Sequence, residues 1–350
     1  ASESDDTVSL LKFENNEINE LQRITVGTYP TEIEGPHGIT VDPSGKFWYL
    51  SLAHGNPFGK LVKYSTESNE VVDETTLGLF PASMQVSTTT GFLYCVNFNL
   101  HGSMKPSTVS VVDPVTMTEI TTITTGSMPH GSRISPDGLY QYSVAMMSGE
   151  LFEVDALGLE VSRTLDLESK MMKKDGMKSM DGMKSMDGMK SMDGMKSMDG
   201  MKHSVVKPTW VIPHPKKNLA YVAGNGSDEV IEVDLDAWEV SDRFKTGKGP
   251  YNLEISPDGK LLIGTIKSEG KTAIWNLEDK KLVGEIKNTT SVSHGIAISS
   301  DSKYAFISVE GIGGEPGIVD VISLENYQLI SSVEVGKQAG GIAFWKQDNL

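Results

Sequence analysis

The side chains of this sequence best suited to chemistry are its 7 histidines and 17 methionines. Three histidines stand in near-identical tripeptides: Pro36-His37-Gly38, Pro129-His130-Gly131 and Ser293-His294-Gly295. His54 and His101 lie in "SLAHGNP" and "FNLHGSM", and His203 and His214 follow. Neutral imidazole is the commonest protein metal ligand, and Cu, Zn, Fe and Ni all accept it. A methionine falls on every third residue at Met177, Met180, Met183, Met186, Met189, Met192, Met195, Met198 and Met201. Thioether sulfur is soft and selects Cu(I) over hard ions. The unit "MKSMDG" places sulfur at i, i+3 and i+6, so a flexible chain can fold two or three sulfurs around one ion. Its glycine opposes a helix, and its Lys and Asp cancel in charge and keep the segment wet, so disorder is expected without metal. The competing reading is a low-complexity linker grown by slippage. That explains the repetition but not the retention of methionine.

Such ligands need a scaffold, and a repeat supplies one. "GPHGITVDPSGKFWYLSL" from Gly35, "MPHGSRISPDGLYQYSVA" from Met128 and "GPYNLEISPDGKLLIGTI" from Gly249 share one plan. "KPTWVIPHPKKNLAYVAG", "VSHGIAISSDSKYAFISV" and the weaker "FPASMQVSTTTGFLYCVN" follow it, and "QAGGIAFWK" is a cut-off copy. Entry residues Pro36, Pro81, Pro129, Pro208, Pro250, Ser293 and Ala339 are spaced by 42 to 48 residues, except across the methionine segment. Each unit reads as four short strands, for example "HGIAIS", "YAFISV", "GIVDVISL" and "YQLISSVEV". Four strands at this period predict an all-β, seven-bladed β-propeller. Residues 1–350 are expected to form one propeller, its last blade closed by N- and C-terminal strands. A flexible Met-rich loop over 170–203 is expected between blades three and four.

The run "YVAGNGSDEVIEVDLDAWEVSDRFKTGKGPYNLEISPDGKLL" from Tyr221 resembles the YVTN-type seven-bladed propeller repeat. The resemblance covers nearly the whole chain apart from the insert. It implies a fold and leaves function open, because such propellers serve as binding modules, structural proteins and enzymes. With strands A to D counted outward from the axis, the loop entering A and the B–C loop share one face of the ring. His37, His130 and His294 would begin inner strands, and His54, His101 and His203 would lie in loops on that same face. Only His214 falls in an A–B turn on the other. These six histidines and the nine spaced methionines form the candidate metal site. Met104 and Met128 are candidates for a weak axial sulfur, whereas Met84 and Met146 are expected in the core. Tyr251, Arg133 and Glu254 lie near inner strands with roles left open.

The formal net charge of -16 argues against nucleic acid, whose binding needs clustered Lys and Arg. No stretch approaches the length of a membrane span. The single cysteine, Cys95, cannot build a disulfide framework or a cysteine-based zinc site. The start "ASESDDT" reads as a mature terminus after signal-peptide removal or as a shortened chain, and a periplasmic or secreted protein is expected. No GxSxG or HExxH motif is present. The multi-histidine arrangement resembles the copper propellers of nitrous oxide reductase and copper-dependent methanethiol oxidase. It departs from them in lacking paired cysteines and an adjacent His-His pair. Three readings follow. The first is a copper-dependent oxidase, with copper as cofactor and O2 and a small reducing substrate as partners. The second is a non-catalytic copper sequestration or delivery protein, and the third a metal-free interaction module.

Overall fold

The structure, a computed structural model, describes residues 1–27, 32–55, 58–100, 102–169 and 203–348. Among these, six antiparallel four-stranded sheets follow one another along the chain, each a simple meander. Their innermost strands are Pro36–Val41, Pro81–Val86, Pro129–Ile134, Pro208–Pro213, Pro250–Ile255 and Ser293–Ile298, and each packs beside the next around a central axis. All six begin on the predicted entry residue. The residue before each entry is left-handed: Gly35, Phe80, Met128, Lys207, Gly249 and Val292 have φ of 66°, 54°, 56°, 44°, 66° and 71°. The chain therefore turns sharply from the outer strand of one blade into the inner strand of the next. Outer strands such as Glu160–Asp166 alternate between exposed and half-buried residues, while middle strands such as Leu93–Asn97 are wholly buried between blades.

The repeat predicted seven blades; the structure has six, plus a two-stranded sheet formed by Thr7–Glu14 and Glu17–Thr25. The segment after Gln338 enters the seventh sector with the same left-handed residue, φ 56° at Gln338. It then makes one isolated bridge, Ser2 with Ala339, in place of a strand ladder. Ala1 donates its amine to the Gly341 carbonyl (2.8 Å), and Gly340 N donates to the Ala1 carbonyl (3.0 Å). The ring closes through these bonds.

One bonding pattern ties blade to blade. In blades one, two, four, five and six, a hydroxyl donates to the carbonyl of the second inner-strand residue of the next sector. The pairs are Ser51 to Ala82 (3.4 Å), Ser83 to His130 (2.7 Å), Thr209 to Tyr251 (2.8 Å), Thr265 to His294 (2.9 Å) and Ser308 to Gly340 (2.5 Å). Blade three uses an imidazole in place of the hydroxyl, with His130 Nδ1 2.9 Å from the Thr209 carbonyl. Ser51, Thr265 and Ser308 also accept an amide from their own inner strand: Gly38 (2.8 Å), Asn252 (3.0 Å) and Gly295 (2.9 Å). Gly38 is needed here, since a Cβ would collide with the Ala82 carbonyl of the neighbouring blade.

Of the predicted insert over 170–203, residues 170–202 lie outside the described residues, and with them Met177 to Met201. The flanks are described. Val205 N donates to Glu168 Oε1 (2.6 Å) and Ser204 N to the Met147 carbonyl (3.0 Å). Met147 follows the strand Tyr140–Ala145, whose Ala145 pairs with Pro129. The insert thus leaves and re-enters beside the start of an inner strand, on the face that carries His130.

Thr265→Val keeps the side-chain shape and orphans both the Asn252 amide and the His294 carbonyl. At roughly 1–3 kcal/mol for each buried unsatisfied group, the expected loss is about 2–6 kcal/mol in urea unfolding. A loss under about 0.5 kcal/mol would show that the inter-blade hydroxyl contributes little.

Candidate functional site

Each inner strand carries a register irregularity across its second residue, as between Pro36 and Ile39, Pro129 and Ser132, and Ser293 and Ile296. A bulge re-aims the side chain it carries. Here His37, His130 and His294 line a small cavity of about 40 Å³ around the axis, together with Ser83, Met84 and Asn252. The ring centre of His37 lies 6.1 Å from that of His130 and 5.8 Å from that of His294. Tyr251 stands against the other two, 5.1 Å from His130 and 4.7 Å from His294. The structure thus brings together three of the six predicted histidines, although they come from blades one, three and six.

The hydrogen bonds assign the protons. Glu3, in the short 3-10 turn Glu3–Asp5, reaches over the cavity mouth. Its Oε2 lies 2.9 Å from His37 Nδ1 and its Oε1 lies 2.7 Å from His54 Nε2. Burial would raise the Glu3 pKa, but bonds from the two imidazoles outweigh it and hold the carboxyl well below its usual range. An ionised carboxylate only accepts, so both histidines donate to it. The Thr209 carbonyl likewise fixes the proton of His130 on Nδ1. Neutral His130 then accepts at Nε2, and Tyr251 donates its hydroxyl there at 2.8 Å.

Burial, then electrostatic coupling to the nearby His37, lowers the His130 pKa to about 3. His294 is lowered well below its ordinary value by burial and then by the Lys267 ammonium. Lys267 pairs with Glu310 at 2.7 Å and lies 4.1 Å from the centre of the Tyr251 ring. His294 Nε2 is 3.7 Å from Glu310, and its buried Nδ1 has no hydrogen-bond partner. His54 differs: the Glu3 hydrogen bond raises its pKa, against partial desolvation.

The remaining predicted ligands separate from this centre. His54 sits at the exposed rim and meets the cluster through Glu3 and the Phe80 ring that it shares with His37. His203 is exposed at the edge of the insert. His101 lies outside the described residues. His214, expected apart, is buried on the other face, where Nε2 donates to Gly259 (3.1 Å) and Nδ1 accepts the Lys216 and Lys217 amides. Among the thioethers Met84 is a core residue as expected, buried beside Tyr49 and Val86, and it also lines the cavity, whereas Met128 packs into a second core cluster with Met104 against it. Among the described residues no set of three or more His, Cys, Asp or Glu donors already converges on one point. Glu3 escaped the sequence reading because nothing near it signals a ligand; only ring closure brings it to His37.

No protein-family model matches the chain, and no curated protein matches it in sequence. A solved structure of Kuenenia stuttgartiensis hydrazine synthase is similar in fold. Its TM-score is 0.66 over 91% of this chain and 92% of that chain, at 18% identity. At that identity the likeness speaks for the propeller fold alone.

A histidine with a depressed folded pKa destabilises the fold as pH falls below its unfolded value, because the unfolded chain takes up the proton first. Between pH 6.5 and pH 5, neutral His130 is expected to cost about 1.5 kcal/mol of stability. Urea midpoints across that interval should fall less steeply in His130→Gln than in the parent. An unchanged slope would mean that His130 is protonated in the native state.

Proposed function

We propose that this chain is an exported copper-binding propeller that holds one copper ion at the channel mouth on His37, His130 and His294. One observation carries the reading. His37 and His130 each commit Nδ1–H to an oxygen acceptor, Glu3 or the Thr209 carbonyl, which leaves Nε2 as the lone-pair nitrogen. Outer-shell partners of this kind orient metal-ligating histidines and fix their tautomer. Three imidazoles bound at metal–nitrogen distances of ~2.0–2.1 Å have ring centres ~5.2–5.6 Å apart. The 5.8 and 6.1 Å separations about His37 are close to that spacing. Burial favours neutral His130 and His294, the form that ligates. Tyr251 would release Nε2 of His130 on binding, and Met84 adds a soft donor to the same cavity.

The imidazoles do not name the metal. The thioethers do: Met177 to Met201 favour Cu(I) by softness, and the described flanks of their segment lie on the face that carries His130. His203 follows them in the chain and His54 stands at the rim, and both are offered as accessory ligands together with His101. Copper at the trio would supply one-electron redox chemistry. The cavity of about 40 Å³ has room for roughly two or three waters, so an oxidase built here would admit O2 and leave a larger reductant outside. The narrow space and the Glu3 bridge across the mouth favour the second reading, copper storage or delivery. The single cysteine, Cys95, is buried and its thiol pKa is pushed up by burial, which suits a chain that passes through an oxidising compartment. No helix among the described residues is long and apolar enough to cross a membrane.

Joining Ser169 to His203 removes the methionines and should leave a folded propeller that retains one copper with a nitrogen-rich absorption-edge spectrum. His37→Asn with His130→Asn should remove that copper, and retention at one equivalent would overturn the site. Glu3→Gln should weaken copper binding about 10- to 100-fold in chelator competition. Oxygen uptake by the loaded protein with phenols, thiols or Cu(I) favours the oxidase reading, and its absence favours storage.

A further inference from the structure

The inner strands line two spaces. Their first residues surround the histidine cavity, and their last residues surround a larger cavity of about 480 Å³ on the opposite side. Arg133 borders both, while Glu254 borders only the larger one. Arg133 NH2 donates to Glu254 Oε2 at 3.2 Å and NH1 to the Ser132 carbonyl at 3.0 Å, with the guanidinium 4.5 Å from the centre of the Trp210 ring. These bonds use two of the five N–H donors of the fork. Above this floor the wall is mixed: Ile39, Val86, Ile212, Ile255, Ile298 and Phe344 supply its apolar part, and Thr40, Gln85, Thr88 and Ser135 its neutral polar part. Arg133 and Glu254 are the only charged side chains among the described residues that line it.

We propose that this cavity binds a small amphipathic monocarboxylate, its head on Arg133 and its tail along the isoleucine wall. A volume of several hundred Å³ lined by both aliphatic and polar side chains, with one cation at its inner end, suits a small amphipathic organic ligand. The charge at the closed end decides its sign. The guanidinium stays protonated in any environment, whereas burial raises the Glu254 pKa against the pull of Arg133. Glu254 is therefore the partner that gives way, and a ligand carboxylate takes its place on the fork with bidentate geometry. An alcohol leaves the guanidinium without an anionic partner, and an ammonium meets it with like charge. The site is independent of the copper reading, since it involves none of the histidines.

Calorimetry with octanoate, octanol and octylammonium on the full chain tests this without added metal. Octanoate is expected to bind one site, with the other two at least tenfold weaker. Arg133→Gln should weaken octanoate at least tenfold, and Glu254→Gln should bind it as tightly as the parent or more so. Ile298→Trp fills the funnel with Arg133 in place and should also weaken binding at least tenfold, which decides the matter if Arg133→Gln fails to fold. No octanoate binding, equal binding of octanol, or unchanged binding in Ile298→Trp would overturn the proposal.

Discussion

The molecule depends on a backbone carbonyl at the start of each inner strand being held by the preceding blade. Five of the six blades do this with a Ser or Thr hydroxyl, and blade three does it with His130. A buried carbonyl left without a donor costs more than an ordinary hydrogen bond returns, so neighbouring sheets are locked at the axis rather than merely stacked. Each inner strand carries a bulge at the same level, and in three sectors the residue there is a histidine that lines the channel. In blade five it is Tyr251, which stands against two of those histidines.

Ring closure completes the centre. The seventh sector is sealed by bonds from Ala1 and Ser2 to the segment around Ala339 to Gly341. The same closure lowers Glu3 onto His37 and His54. One structural necessity therefore supplies the carboxylate that orients an imidazole. His130 has a similar double character. Its Nδ1 performs the inter-blade bond that hydroxyls perform elsewhere, which leaves only Nε2 for a ligand or for Tyr251. Beneath the imidazoles the Arg133–Glu254 pair stands between a small histidine-lined chamber and a larger cavity of mixed lining.

Much of the fold was legible residue by residue. Pro36, Pro81, Pro129, Pro208, Pro250 and Ser293 were recognisable as strand starts because an entry turn leaves its mark within a few positions. The alignment of His37, His130 and His294 followed from the repeat register. The seventh blade was over-read, since "GGIAFW" matches the inner-strand pattern but finds Ser2 in place of a ladder partner. Met84 is in the core as expected, but Met128, a candidate axial sulfur, is there too. Sequence spacing does not show that Met128, left-handed and ahead of its strand, turns into the core.

The sequence by itself determined the propeller, the position of each inner strand and the face on which the histidines gather. These are consequences of local turn chemistry repeated at a fixed period. Only the tertiary structure decided which side chains meet. Tyr251 with His130, and Arg133 with Glu254, are both separated by 121 residues, since each pair joins equivalent repeat positions of blades three and five across the channel. Glu3 reaches His37 only because the ring closes. Contacts across an axis depend on strand tilt, bulge direction and closure of the whole ring, and no short stretch of sequence encodes those.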